Sequence, residues 1–221
     1  MPFDHSMTTR VKICGIKSAP ILEASIALGA EYLGFVFYPP SPRSLTPATA
    51  KPLAKLAKGR CRLVALLVDA DDALIEAVVE NVSPDMLQLH GTESPERAAH
   101  ILARFSVPVM KAIKVETADD ASAAQAYGGV AERILFDAKA PKDLAGALPG
   151  GNGLAFDWRA LEGMRGKLDF MLSGGLTPEN VAEAVRRTGA WAVDVSSGVE
   201  NKPGEKDLAL IARFIAAAKA A

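Results

Sequence analysis

A thiol, a carboxyl group, a guanidinium and a pair of glycine-rich turns are the parts of this chain from which chemistry can be built. Cys14 closes the apolar run VKIC and precedes Gly15, and Asp137 closes RILFD. The runs FMLSGG and AVDVSSG end in Gly174-Gly175 and Ser196-Ser197-Gly198. Glycine lets backbone N–H groups approach an anion closely, and a helix starting behind the turn, signalled by Thr177-Pro178-Glu179, adds a favourable dipole. A Gly-Gly exit taken singly is most often a tight turn. The pairing argues for a bound phosphate.

Cys14 has three readings: nucleophile, general base or inert core thiol. Cys61, at a strand start, exemplifies the inert one, whereas a place at a strand exit favours a working thiol. At the ordinary thiol pKa only about 3% is thiolate at pH 7, so a base role needs a nearby cation or dipole. Lys12 shares a strand face with Cys14 and can provide the cation, unless Asp194 neutralises it. Gln88 and His90 share a face of another strand, and Asp194 and Ser196 of a third; pointing inward at one rim, these residues form a polar pocket beside the turns.

Asp137 either caps its turn or, partly buried with a raised pKa, delivers a proton. An acid and a base on different strand ends suit an isomerisation. Arg43 lies in YPPSPRSL, where Pro39, Pro40 and Pro42 stiffen the loop and lower the cost of presenting a guanidinium to a carboxylate; without such a setting it is an ordinary surface arginine. Lys139 reads as a solvated loop lysine rather than a substrate contact. With three histidines, His5, His90 and His100, no ligand cluster forms and no metal site is expected. A thiol hydrolase would need Cys14 and His90 in contact from non-adjacent strands.

These residues need elements to position them, and the chain offers eight strand-like runs: 11–16, 32–38, 62–69, 86–91, 108–115, 133–139, 169–175 and 192–198. Ala-rich stretches of helical period alternate with them, the pattern of β/α units with parallel strands. Ser94-Pro95-Glu96 marks a helix start, and Gly59 and Gly189 mark helix ends. Eight units in 221 residues, slightly under the ~250 typical of the fold, predict an α/β single-domain (β/α)8 TIM barrel over residues 10–221, after a disordered head at 1–9. A doubly wound open sheet would use fewer units. In such a barrel the chemistry sits at the strand C-terminal ends, often with phosphate at the turns after strands seven and eight. The segment 140–156, rich in Gly and Pro, reads equally as a mobile lid or a disordered insertion.

A net charge of -1 with scattered basic residues points away from nucleic acid and membrane surfaces. MPFDHSM has neither the basic nor the apolar region of a leader, so a cytoplasmic protein is expected. Two cysteines make no disulfide framework. No exposed apolar stripe stands out on the helices, and a monomer is expected.

The runs VKICGI, GFVFYPPSPR, LQLHG, ILFDAK, FDW, LSGGLTPENV and AVDVSSGVE extend from residue 11 almost to the end. In their identity and order the chain resembles the phosphoribosylanthranilate isomerase family. The resemblance implies a (β/α)8 barrel that uses no cofactor. It also implies a small-molecule substrate, N-(5-phosphoribosyl)anthranilate, converted by an Amadori rearrangement to 1-(2-carboxyphenylamino)-1-deoxyribulose 5-phosphate in tryptophan biosynthesis. By resemblance Cys14 is the general base, Asp137 the general acid and Arg43 the holder of the anthranilate carboxylate. Gly174, Gly175, Ser196, Ser197 and Gly198 match the phosphate cradle with Asp194 beside it, and Gln88 and His90 match pocket positions. Two departures touch loop geometry and rate more than reaction type: Lys17-Ser18-Ala19-Pro20 replaces a common Thr and acidic stretch, and Ala138 replaces a frequent Thr. A metal-using phosphosugar epimerase would need more inward His and Asp. A phosphosugar-binding barrel without catalysis is opposed by the intact Cys14 and Asp137. The related aminoaldose of histidine biosynthesis is opposed by Arg43.

Overall fold

The computed structural model of the chain describes residues 8–139, 150 and 156–221. Eight short strands, β1 Arg10–Cys14, β2 Tyr32–Phe37, β3 Arg62–Leu67, β4 Met86–Leu89, β5 Val109–Val115, β6 Arg133–Ala138, β7 Phe170–Leu172 and β8 Ala192–Val195, pair in parallel and in sequence order. β8 then pairs with β1, so the sheet closes into a barrel and has no edges. Both faces of such a sheet are covered, which is why the strands are almost continuously apolar.

The helices are α1 Ala19–Ala27, α2 Pro47–Ala57, α3 Asp72–Val82, α4 Pro95–Phe105, α5 Ala118–Ser122, α6 Val181–Thr188 and α7 Leu208–Lys219. Their starts are written in the sequence. Thr46, Asp71, Ser94 and Asp207 each accept a hydrogen bond from the backbone N–H three residues on, at 3.2, 2.8, 3.2 and 2.9 Å. Gly189, at φ 66, ends α6 in the left-handed conformation that glycine adopts without strain. The helix expected behind the first glycine turn begins later than Thr177-Pro178-Glu179 suggests. Residues 177–180 form a separate turn in which Asn180 Oδ1 accepts from Thr177 N at 2.8 Å and Asn180 Nδ2 donates to Gly175 O at 3.0 Å. α6 follows that turn.

Register decides what faces inward. Tyr32, Val64, Met86, Met110, Ala112, Leu135, Met171 and Ala192 form one buried cluster inside the barrel. Lys12 pairs in register with Tyr32 and Asp194, Cys14 with Gly34, and Gln88 with Leu66 and Met110. The alternate residues, such as Val11, Ile13, Leu33, Phe35, Phe136 and Phe170, pack outward under the helices. A two-stranded antiparallel hairpin, β9 Glu200–Lys202 and β10 Glu205–Lys206, interrupts the passage from β8 to α7 and has no counterpart in the sequence reading. The expected disordered head lies outside the described residues up to residue 7. The segment 140–156 lies outside them except for Gly150 and Phe156.

Candidate active site

At the C-terminal rim of the strands a cleft open to solvent is lined by Cys14, Arg43, His90, Asp137, Asp194 and the two turns Ser173–Leu176 and Val195–Gly198. Val36, Tyr38, Leu66 and Val68 form its apolar wall, and Cys14 packs against Val36 and Leu66. The sequence-derived site residues therefore share one cavity, apart from Lys12 and Gln88, both fully buried below its lining. Gln88 lies beneath His90.

On β1, Lys12 is fully buried and its Nζ lies 2.9 Å from Asp194 Oδ1. Room for the Lys12 and Cys14 side chains comes from Gly34 on β2. A Cβ there would stand 2.9 Å from Cys14 Sγ and 3.2 Å from Lys12 Nζ. Burial pushes the Cys14 thiol above its ordinary range; Lys12 and Lys206 pull it back only in part, and Asp194 adds to the rise. For Lys12 burial acts downward, but Asp194 and Cys14 outweigh it and its pKa is raised. Lys12 thus remains a cation, paired with Asp194 and also felt by the thiol. Of the two roles posed from the sequence, the pairing with Asp194 is the one the geometry shows, and the thiol pKa stays raised beside it.

β4 and β6 meet across the barrel mouth. His90 Nε2 is 3.0 Å from Asp137 Oδ2, and His90 Nδ1 is 2.7 Å from Gln88 Nε2. A histidine with its proton on Nε2 satisfies both contacts, donating to Asp137 and accepting from Gln88. Asp137 Oδ1 accepts from Ala138 N at 3.0 Å. The end of β4 is held by a buried pair that sequence reasoning missed. Lys111 Nζ donates to Leu89 O, Gly91 O and Glu93 Oε2 at 3.2, 2.8 and 2.8 Å, and Glu93 accepts from Gly91 N.

Arg43 is 4% exposed, and proline stiffness alone does not aim it. Its Nε and Nη2 donate to Glu200 Oε1 and Oε2, both at 2.8 Å, in a bidentate pair. Gly15, at φ 84, passes so close that a Cβ would stand 2.7 Å from Arg43 Cδ. Glu200 also binds Lys206 Nζ at 2.6 Å, and Lys206 reaches Ser196 O at 2.9 Å. Burial alone would raise the Glu200 carboxyl pKa, but Arg43 and Lys206 hold it down at about 2.

Because the folded pKa lies below the ordinary carboxylate value of 4.5, the stabilisation from Glu200 is present above that pH and is lost as pH falls toward 2. At 1.36 kcal/mol per pH unit this interval is worth at most roughly 3 kcal/mol. Denaturant titrations of wild type and Glu200→Gln are expected to differ in stability near pH 5 and to converge toward pH 2. A pH-independent difference would contradict the assignment.

The two glycine turns touch each other. A Cβ on Gly198 would lie 1.9 Å from Leu176 O, so only glycine permits this backbone contact. Gly174 and Gly175 have φ of 91 and 60, and a Cβ on Gly174 would lie 2.5 Å from Ala138 N. The departure at Ala138 thus lies against the first turn. The departure at Lys17 ties two loops, its Nζ donating to Pro42 O at 2.8 Å. Lys139 is a surface lysine beside Asp120, at 3.2 Å.

Residues 11–217 match the profile of a family described as N-(5'phosphoribosyl)anthranilate (PRA) isomerase. The chain is 54% identical over 215 residues to N-(5'-phosphoribosyl)anthranilate isomerase of Parvibaculum lavamentivorans, covering 97% of this chain and 100% of that one. It is 50% identical to the Rhizobium meliloti protein of the same name, covering 97% and 99%. Among solved structures, phosphoribosyl anthranilate isomerase from Thermotoga maritima matches with a TM-score of 0.86 at 36% identity, covering 96% and 100%. Another phosphoribosyl anthranilate isomerase, in complex with reduced 1-(o-carboxyphenylamino)-1-deoxyribulose 5-phosphate, matches at 0.83 with 35% identity, covering 96% and 100%.

Proposed function

The chain belongs to the phosphoribosylanthranilate isomerase family and is an isomerase of tryptophan biosynthesis, and from that premise we propose which of its residues carry the reaction. Arg43 binds the anthranilate carboxylate, and the backbone of Gly174-Gly175 and Ser196-Ser197-Gly198 binds the phosphate. Asp137 gives its proton to the furanose ring oxygen as the C1–O bond breaks and the nitrogen lone pair closes a C=N bond. The Cys14 thiolate then removes the C2 proton. The C–H electron pair forms the C1–C2 double bond, and the C=N pair returns to nitrogen. The resulting enolamine becomes the ketone when the C2 hydroxyl loses a proton and C1 gains one. The substrate nitrogen is the electron sink, so this route asks the protein for two proton-transfer groups and two anion holders.

The observation that carries the reading is the meeting in one cleft of Cys14 from β1, Asp137 from β6, Arg43 and both glycine turns. Freshly generated phosphoribosylanthranilate, with EDTA present, is expected to lose its anthranilate-type fluorescence when the protein is added. Folded protein that binds this substrate without turning it over would overturn the catalytic reading in favour of a binding barrel.

Arg43→Ala is expected to raise KM by roughly 10- to 100-fold with little change in kcat, the scale of one charge-assisted interaction made equally in ground and transition states. A fall in kcat alone would remove the anchoring role. A monomer acting in the cytoplasm completes the proposal. Among the described residues the exposed large apolar side chains are Leu28, Leu56 and Leu208, each at a helix end and less than half exposed. No helix there is long and apolar enough to cross a membrane. Light scattering of purified protein checks the mass.

A further inference from the structure

The hairpin β9–β10 sets Lys206 in register opposite Glu200, and both side chains are almost fully buried, at 2% and 3% exposure. Glu200 has no acceptor to spare for substrate. Its Oε1 takes Arg43 Nε at 2.8 Å and Lys206 Nζ at 2.6 Å, while Oε2 takes Arg43 Nη2 at 2.8 Å and Gly204 N at 3.1 Å. A guanidinium held by two parallel bonds cannot rotate about its own axis, so the direction of the remaining Arg43 donors is fixed.

The same carboxylate reaches the other end of the substrate. Lys206 donates to Ser196 O at 2.9 Å and lies 3.3 Å from Ser196 Oγ, which in turn donates to Cys14 O at 3.2 Å. The hairpin turn closes on the arginine loop: a Cβ on Gly204 would stand 2.7 Å from Pro42 O, the oxygen that Lys17 also binds. Loops following β2 and β8 therefore meet at this one buried glutamate, and the loop after β1 packs on them through Gly15 against Arg43 and Lys17 on Pro42 O. A negative charge is an unexpected resident in a site that binds two anions, since its Coulomb effect on them is repulsive. Geometry is what it can contribute.

We infer that Glu200 is a positioning residue for the isomerase reaction: it orients Arg43 toward the substrate carboxylate and, through Lys206, fixes the Ser196 turn that receives the phosphate. The inference rests on the carboxylate role proposed for Arg43.

Glu200→Gln separates geometry from charge because the two predict opposite signs. Positioning predicts a KM for phosphoribosylanthranilate raised about tenfold or more, the scale of one lost charge-assisted bond, with kcat within about threefold. Mere charge balancing predicts a lowered KM, because an anion has left an anion site. An unchanged or lowered KM overturns the inference. Inhibition by ribose 5-phosphate, which has a phosphate but no carboxylate, should weaken in the same variant; an unchanged inhibition constant overturns the phosphate half.

In an Arg43→Ala background Glu200→Gln should raise KM less than it does in wild type, leaving only the part carried by Lys206 and the Ser196 turn, whereas fully additive effects would mean that Glu200 does not act through Arg43. If Arg43→Ala alone leaves KM untouched, the carboxylate reading itself fails. If Arg43→Ala raises KM and Glu200→Gln does not, only the positioning role fails. Should Glu200→Gln not fold, Arg43→Lys poses the same question from the other partner. Lysine keeps the charge but cannot form the fork, so a tenfold rise in KM is expected and a wild-type KM refutes the inference.

Discussion

Asp137→Asn is expected to lower kcat by about 10²-fold or more, the usual scale for removing a general acid, while KM stays near wild type and the protein still folds. The substitution is nearly isosteric. The asparagine oxygen can accept from Ala138 N, as Asp137 Oδ1 does at 3.0 Å, or from His90 Nε2, but its NH2 group then faces the other donor, so one of these two contacts is lost. What asparagine cannot do is release a proton to the ring oxygen. The loss should therefore fall on the chemical step, and single-turnover fluorescence measurements can separate that step from binding. Near-wild-type turnover would remove Asp137 from the acid role. A raised KM with unchanged kcat would make it a binding residue held by the His90–Gln88 chain.

Cys14→Ala should cost a similar factor, and Cys14→Ser should not restore it, because an alcohol is far less ionised at neutral pH than a thiol. Titration of the thiol gives a second readout. Burial holds the thiol pKa above its ordinary value despite Lys12 and Lys206, so the thiolate is the minor form at neutral pH. Its fraction grows as pH rises. Thiolate ultraviolet absorbance, read as the difference between wild type and Cys14→Ala, should therefore still be climbing above about pH 8.5, the ordinary thiol pKa. Lys12→Met removes the cation beside the thiol and should move that rise further up. A thiolate difference already complete at pH 7 would contradict the raised thiol on which this account of the base stands.

Much of this site was legible from strand parity. Lys12 with Cys14, Gln88 with His90, and Asp194 with Ser196 share faces because side chains two apart point the same way, and register places Lys12, Cys14, Gln88 and Asp194 inside the barrel. The paired glycine turns were legible because few residues other than glycine tolerate positive φ and backbone-to-backbone contact. Glu200 and Lys206 were not singled out. Both lie in a short hairpin after the last strand, where charged side chains are ordinarily solvated, and Glu200 appeared only as the last letter of AVDVSSGVE. The His90–Asp137 contact was hidden for another reason. β4 and β6 are not neighbours in the sheet, and only the narrow barrel mouth brings their inward side chains within 3.0 Å.

The eight alternating units, the inward parity of the polar residues and the two glycine turns are readable from residue order, because they depend on periodicity and local backbone conformation. Closure of the sheet decided the rest. It brings β1 beside β8, so that Lys12 meets Asp194 from 182 residues away and becomes the cation next to Cys14. It also converges the rim loops, so that Glu200 fixes Arg43 across 157 residues. Charge interactions act through space and not along the chain, so the protonation of the thiol and the aim of the arginine exist only once the barrel has closed.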